Sequence, residues 1–197
     1  MILDNTVNYI VSGLERSGTS MLMQILLAGE IPVSYDDKRP PDQFNPKGYY
    51  ELEGGKIISK LIDGNFPLNK YRGRFIKITS YGLKYLPPGK YKIIYSERDL
   101  VEILDSMERM IGERDQNRND TMENLIKLNN LIKNEIKKRI DVNLIIINYN
   151  EILLKPEKNI RKILDFLNLP RDNLQKMVNA VDIEMYTPNK TKNIEVK

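Results

Sequence analysis

Short apolar runs alternate along the chain with segments whose apolar residues recur every three or four positions. That rhythm predicts strands of a mostly parallel sheet covered by helices, an α/β arrangement. Tyr9-Ile10-Val11 reads as a short buried strand ending in Ser12-Gly13. A helix follows from about Ser20 to Leu27. Met21, Leu22, Met23, Ile25, Leu26 and Leu27 make it apolar on nearly every side, so burial is expected, and Gly29 stops it. Residues 40–48 are rich in Pro, Asp and Asn and read as an irregular surface loop; a helix is expected over Glu51–Asp63. Phe75–Ile78 and Lys92–Tyr95 supply a second and a third strand, with the Pro87-Pro88-Gly89 turn between them. Asp99 is placed to cap the next helix, which runs to about Ile111, with Glu102 at capping-box spacing.

The polar stretch Glu113–Asp120 is expected to be mobile. Beyond it, Met122, Leu125, Leu128, Ile132 and Ile136 recur at helical intervals within Asn119–Arg139. Val142–Ile147 is the most apolar run and is expected to be a central strand. Pro156 sits in the first turn of another helix, where Ile160, Ile163, Leu164 and Leu167 form one face. A short helix near Arg171–Val181 precedes a polar tail, from Thr187, that is expected to be flexible. There is no internal repeat, and the length of 197 residues suits one domain over 1–197.

Composition narrows the chemistry. The chain has neither cysteine nor histidine. This excludes a disulfide framework, thiolate metal sites and any Ser-His-Asp or Cys-His mechanism. Carboxylates, lysine, arginine, hydroxyls and backbone amides remain. The net charge of +4 is a mild bias toward anions, spread too evenly to indicate nucleic acid. Met1–Asn8 lacks the basic start and apolar core of a signal peptide, and no apolar run approaches the ~20 residues that span a bilayer. A cytoplasmic protein without membrane or nucleic-acid partners is expected.

One stretch carries strong chemistry. Gly13-Leu14-Glu15-Arg16-Ser17-Gly18-Thr19-Ser20 joins the first strand to the first helix. Glycines at both ends let successive N–H groups face one anion, and the helix N-terminus adds unpaired donors and partial positive charge. Ser17, Thr19 and Ser20 add hydroxyls, and Arg16 adds a cation with fork geometry. The spacing resembles the ATP-binding phosphate loop, but Thr19 stands where that pattern has lysine. A loop without that lysine suits phosphoryl transfer from ATP poorly, and still suits a 5′-phosphate that carries a sulfuryl group.

Arg16-Ser17-Gly18-Thr19-Ser20 resembles the 5′-phosphosulfate loop of sulfotransferases, with Glu15 where the family usually has proline. The resemblance implies a P-loop NTPase-like three-layer sandwich with a central, mostly parallel sheet. It also implies 3′-phosphoadenosine 5′-phosphosulfate (PAPS) as co-substrate, with no metal. The family's 3′-phosphate site is an Arg at a strand end and a Ser eight positions later; Arg98 and Ser106 match it. Tyr149-Asn150-Glu151-Ile152-Leu153, Pro156-Glu157 and Phe166-Leu167 are similar to a structural pattern near the family's C-terminal end. Asn45-Pro46-Lys47-Gly48-Tyr49-Tyr50-Glu51 looks like a group of short microbial sulfotransferase-like proteins. Where the family has a basic Arg-Lys-Gly segment at the adenine end, this chain has Asn189-Lys190-Thr191-Lys192.

The implied reaction is in-line transfer of a sulfuryl group to a hydroxyl or amine of a small-molecule or glycan acceptor. It needs a base, and the histidine that many members carry after the second strand is missing from Lys77-Ile78-Thr79-Ser80-Tyr81. Asp36 or Asp37 is one candidate, with Arg39 nearby to orient or bind acceptor, and Glu51 is the rival. Lys77 is a candidate to neutralise the sulfuryl oxygens, against a plain role at a strand edge. Two other readings stay open: a non-catalytic nucleotide-binding or interaction protein of the same fold, and an atypical P-loop kinase.

Overall fold

A computed structural model describes residues 2–182. Four strands, β1 (Asn8–Gly13), β2 (Phe75–Lys77), β3 (Tyr91–Glu97) and β4 (Val142–Asn148), form one sheet in the order β2-β1-β3-β4, parallel throughout. The helices are α1 (Thr19–Ala28), α2 (Ile57–Ile62), α3 (Leu100–Ile111), α4 (Arg118–Lys138), α5 (Tyr149–Leu154), α6 (Pro156–Leu167) and α7 (Leu174–Asn179). The tail beginning at Thr187, with Asn189–Lys192, lies outside the described residues.

Strand side chains alternate between the two faces, and both faces are apolar because both are covered. Tyr9, Val11, Phe75, Ile94 and Ile147 point into one core, with α1, α6 and α7. Ile10, Ile76, Ile93 and Tyr95 point into the other, closed by α2 and α4 through Ile57, Leu61, Ile132 and Ile136. The sheet is the middle of three layers. By the same parity Lys77, two residues beyond Phe75, turns toward α1, and it is 5% exposed.

Two expectations change. Val142–Asn148 is the edge strand, not a central one: it pairs only with β3, and its side chains are mostly half-buried. Its apolarity follows from helices on its two faces, which says nothing about hydrogen bonding along its outer edge. The helix expected over Glu51–Asp63 begins only at Ile57; a 3₁₀ turn at Glu53–Gly55 precedes it. Tyr50, Glu53, Gly54 and Gly55 all have positive φ (54°, 55°, 61° and 85°), so Glu51 lies in a sharply turning, non-helical segment. After α3, Arg118 at the start of α4 pairs with Asp105 at 2.5 Å and with Glu108 at 2.7 Å, which joins the two helices.

The order of strands fixes where a ligand can sit. From β1 the chain leaves toward β2, and from β3 toward β4, so the loops after these neighbouring strands diverge and leave a crevice at their carboxyl ends. Gly13 pairs with Ser96 at that end. The loop 14–18 and the residues after β3 therefore emerge side by side.

Asp99 caps α3 as its spacing predicts, accepting from the amides of Val101 (2.9 Å) and Glu102 (3.2 Å). Asp99→Ala is expected to lower unfolding stability by about 1 kcal/mol. Chemical denaturation would show this as a lower midpoint with an unchanged slope.

Candidate active site

The loop after β1 is held open by strained backbone and close packing. Arg16 has φ 64° and Gly18 φ 98°. A Cβ on Gly18 would lie 2.2 Å from Cδ2 of Tyr149, so glycine alone lets this ring cover the loop. Ser96 Oγ donates to the carbonyl of Ser17 at 2.6 Å, and Ser17 N donates to Leu14 O at 3.2 Å. Gly18 precedes α1 with no side-chain cap, so the first amides of this ten-residue helix have no capping side chain among the described residues. Ser17 Oγ is buried and, among the described residues, has no hydrogen-bond partner.

The second predicted cluster lies against this loop. Arg98, at the end of β3, donates from Nη1 to the carbonyl of Arg16 (3.1 Å) and from Nε to Glu102 (2.9 Å). Its guanidinium sits 4.3 Å over the ring of Tyr149. Arg16 reaches across to α3: its Nε donates to Ser106 Oγ at 2.9 Å, and its Nη2 to Phe44 O at 3.2 Å. Gly13, Arg16, Ser17, Gly18, Thr19, Ser20, Arg98 and Ser106 thus form one corner, and all but Gly13 and Ser17 line a cleft of about 590 Å³.

From Ser20 a polar chain runs along the floor of that cleft. Lys77 Nζ donates to Ser20 Oγ (3.2 Å), to Tyr49 O (2.5 Å) and to Glu51 Oε1 (2.9 Å), which occupies all three of its protons. Glu51 Oε2 accepts from Arg39 Nη1 at 3.0 Å. Arg39 stacks 3.5 Å over the Tyr49 ring, and the Tyr49 hydroxyl donates to Asp42 at 2.6 Å. Burial pushes the Lys77 ammonium below the ordinary lysine range, against the opposing pull of Glu51. Burial, reinforced by the bond to Asp42, raises the Tyr49 phenol.

The structure brings Glu51 and Lys77 together with the loop, and does not bring Asp36 or Asp37 there. Both carboxylate oxygens of Asp36 hold backbone amides, of Lys38 at 3.0 Å and of Glu53 at 2.6 Å, which fixes the turn carrying Glu51. Asp37 is exposed, and neither residue lines the cleft. Lys77 lines the cleft with its three protons directed to Ser20, Tyr49 and Glu51. Tyr149 and Tyr49 were missed from the sequence: Tyr149 read as part of a structural pattern, and the ring contacts join segments far apart in the chain.

The sulfotransferase domain family model matches residues 7–196. The chain belongs to that family, whose members are PAPS-dependent sulfotransferases. Solved structures of the same fold include the sulfotransferase domain from the Synechococcus PCC 7002 olefin synthase. It is 16% identical, with a TM-score of 0.56 over 89% of this chain and 77% of that one. Mouse sulfotransferase SULT7A1 complexed with PAP is 15% identical, with a TM-score of 0.58 over 91% of this chain and 66% of that one. The chain thus spans about two thirds of the mouse protein's length. No curated protein matches the sequence at a significant level.

Gly18→Ala is expected to destabilise the fold by about 1–3 kcal/mol, because it combines an unfavourable φ with the 2.2 Å collision against Tyr149. Removing the collision alone, in the Gly18→Ala/Tyr149→Ala pair, leaves the backbone strain. A double-mutant cycle by denaturation would therefore show a favourable coupling between the two sites.

Proposed function

We propose that this cleft holds PAPS between the loop 13–20 and the Arg98–Ser106 cluster, and that Glu51 is the base which prepares the acceptor. The observation that carries the reading is the direct contact between the two anion-binding segments. Arg16 reaches Ser106 at 2.9 Å while Arg98 holds the Arg16 carbonyl at 3.1 Å. Two cradles this close suit the two phosphate ends of one nucleotide. The uncapped start of α1 and the buried Ser17 hydroxyl fit an oxyanion at the loop.

PAPS supplies a sulfuryl group that an acceptor hydroxyl or amine takes in line, leaving adenosine 3′,5′-bisphosphate. The chain's own part is to receive a proton and to stabilise charge. Glu51 takes the proton of the acceptor. Arg16 and the amides at the start of α1 hold the negative charge left on the departing phosphate. Arg98 and Ser106 bind the 3′-phosphate by charged and hydroxyl hydrogen bonds. Lys77 keeps Ser20 and Glu51 in register. The acceptor is a small molecule or glycan.

Calorimetry is expected to show binding of adenosine 3′,5′-bisphosphate and none of ATP–Mg; the reverse result would remove the PAPS reading. Arg98→Ala is expected to weaken the bisphosphate roughly 10- to 150-fold, the equivalent of about 1.5–3 kcal/mol for a charged hydrogen bond. Affinity for adenosine 5′-monophosphate, which lacks the 3′-phosphate, should fall less, since the loop then loses only the bond from Arg98 to the Arg16 carbonyl. Glu51→Gln is expected to cut sulfuryl transfer by about 10²–10⁴ while bisphosphate affinity is kept. Full turnover in that variant would show that another group takes the proton.

A further inference from the structure

The end of the cleft beyond Lys77 is short of negative charge. Three cations line it, Lys77, Arg39 and Lys56, against the single carboxylate of Glu51. Just outside the lining, Lys38 and Lys60 both pair with Glu53, at 2.5 Å and 3.1 Å, and Asp42, which accepts from the Tyr49 hydroxyl, also acts on Arg39, so one positive charge stays in excess. Lys56 is exposed and makes no ion pair among the described residues. Arg39 gives one N–H to Glu51, through Nη1, and stacks on Tyr49. Beyond Glu51, its side-chain hydrogen-bond partner among the described residues is the neutral Tyr49 phenol, so no second carboxylate bonds its fork. Stacking holds the planar fork in place, so its donors are oriented in advance.

The way in is kept open by Gly55. A Cβ there would lie 2.7 Å from Glu51 Oε2 and 4.0 Å from Arg39 Nη1, so any larger residue would cover the carboxylate oxygen that faces Arg39. Gly55 has φ +85°, a conformation in which a side chain is strained in any case. Gly55, Glu51 and Arg39 thus meet on one side of the cleft, and Lys56, next to Gly55 in the chain, also lines it.

On the reading that Glu51 is the base, we propose that the acceptor carries an oxyanion, such as a carboxylate, phosphate or sulfate, beside the hydroxyl or amine that is sulfated. Arg39 receives it through the N–H groups that Glu51 does not occupy, and Lys56 adds a second positive charge at the mouth. An anionic substituent there brings the acceptor's own O–H or N–H to Glu51, and a neutral acceptor leaves the excess positive charge of this end unmatched.

The test is calorimetric titration of the protein, saturated with adenosine 3′,5′-bisphosphate, with inorganic sulfate at low ionic strength. The nucleotide's own anion sites are then filled. Sulfate is expected to bind the wild type, and Arg39→Gln and Lys56→Gln are each expected to weaken it at least about tenfold. Lys56 is exposed, so its variant reads charge without disturbing the core. Sulfate that binds equally to wild type and variants would lie in the position of the transferred group, and that result overturns the proposal. Absence of sulfate binding while the bisphosphate binds overturns it alone. Absence of bisphosphate binding overturns the PAPS reading and this proposal together.

Discussion

The parallel pairing of β1 with β3 at their carboxyl ends is the constraint on which the cleft depends. Gly13 stands opposite Ser96, and a Cβ on Gly13 would fall 2.5 Å from the Ser96 carbonyl. That contact lets the loop leave β1 low and close. Ser96 then takes the Ser17 carbonyl with its hydroxyl, and Arg98 takes the Arg16 carbonyl. Two backbone carbonyls, turned inward onto β3 residues, leave the amides of the turn facing outward at the start of α1. The loop's geometry is thus enforced from the neighbouring strand, and the distance between the two proposed cradles is set by one inter-strand spacing of about 4.8 Å.

A second constraint is the lysine buried in the sheet. An ammonium 5% exposed is costly to desolvate unless every proton finds an acceptor, and Lys77 meets that condition with Ser20, the Tyr49 carbonyl and Glu51. The requirement acts in both directions. Glu51 is held at the cleft because Lys77 needs a counter-charge, and the segment 49–55 bends through four positive-φ residues to deliver both the Tyr49 carbonyl and that carboxylate. Asp36 locks the bend by accepting from Glu53 N, while its own amide donates to Glu51 O at 2.8 Å.

Local signals were legible in the sequence and long-range ones were not. The loop 13–20, the Asp99 cap and the face of α6 depend on neighbours within a few residues, and turn chemistry or helical spacing reports them directly. Parity along Phe75-Ile76-Lys77 was equally available, and it determines which way the lysine turns. The position of β4 was not legible, because apolar residues on both faces record covering helices and not hydrogen bonding on both edges. Glu51 was read into a helix although Gly54-Gly55 marks a break; the pair was the overlooked signal. The role of Tyr149 over Gly18 had no local trace, since a ring approaching from the far end of the chain leaves only a glycine that other needs also explain.

The absence of histidine gives the Lys77–Glu51–Arg39 cluster a meaning beyond geometry. With Glu51 ionised the three side chains carry one net positive charge; a proton taken from an acceptor raises that to two. In the proposed reaction this gain coincides with charge building on the departing phosphate, which Arg16 faces from the other end of the same polar chain through Ser20, Asn45 and the Phe44 carbonyl. A neutral histidine that takes a proton also gains one positive charge, but on its own ring. Here the gain comes from uncovering two cations already in place, which need no reorientation as the proton moves. On that reading, the carboxylate held between Lys77 and Arg39 stands in for the ring.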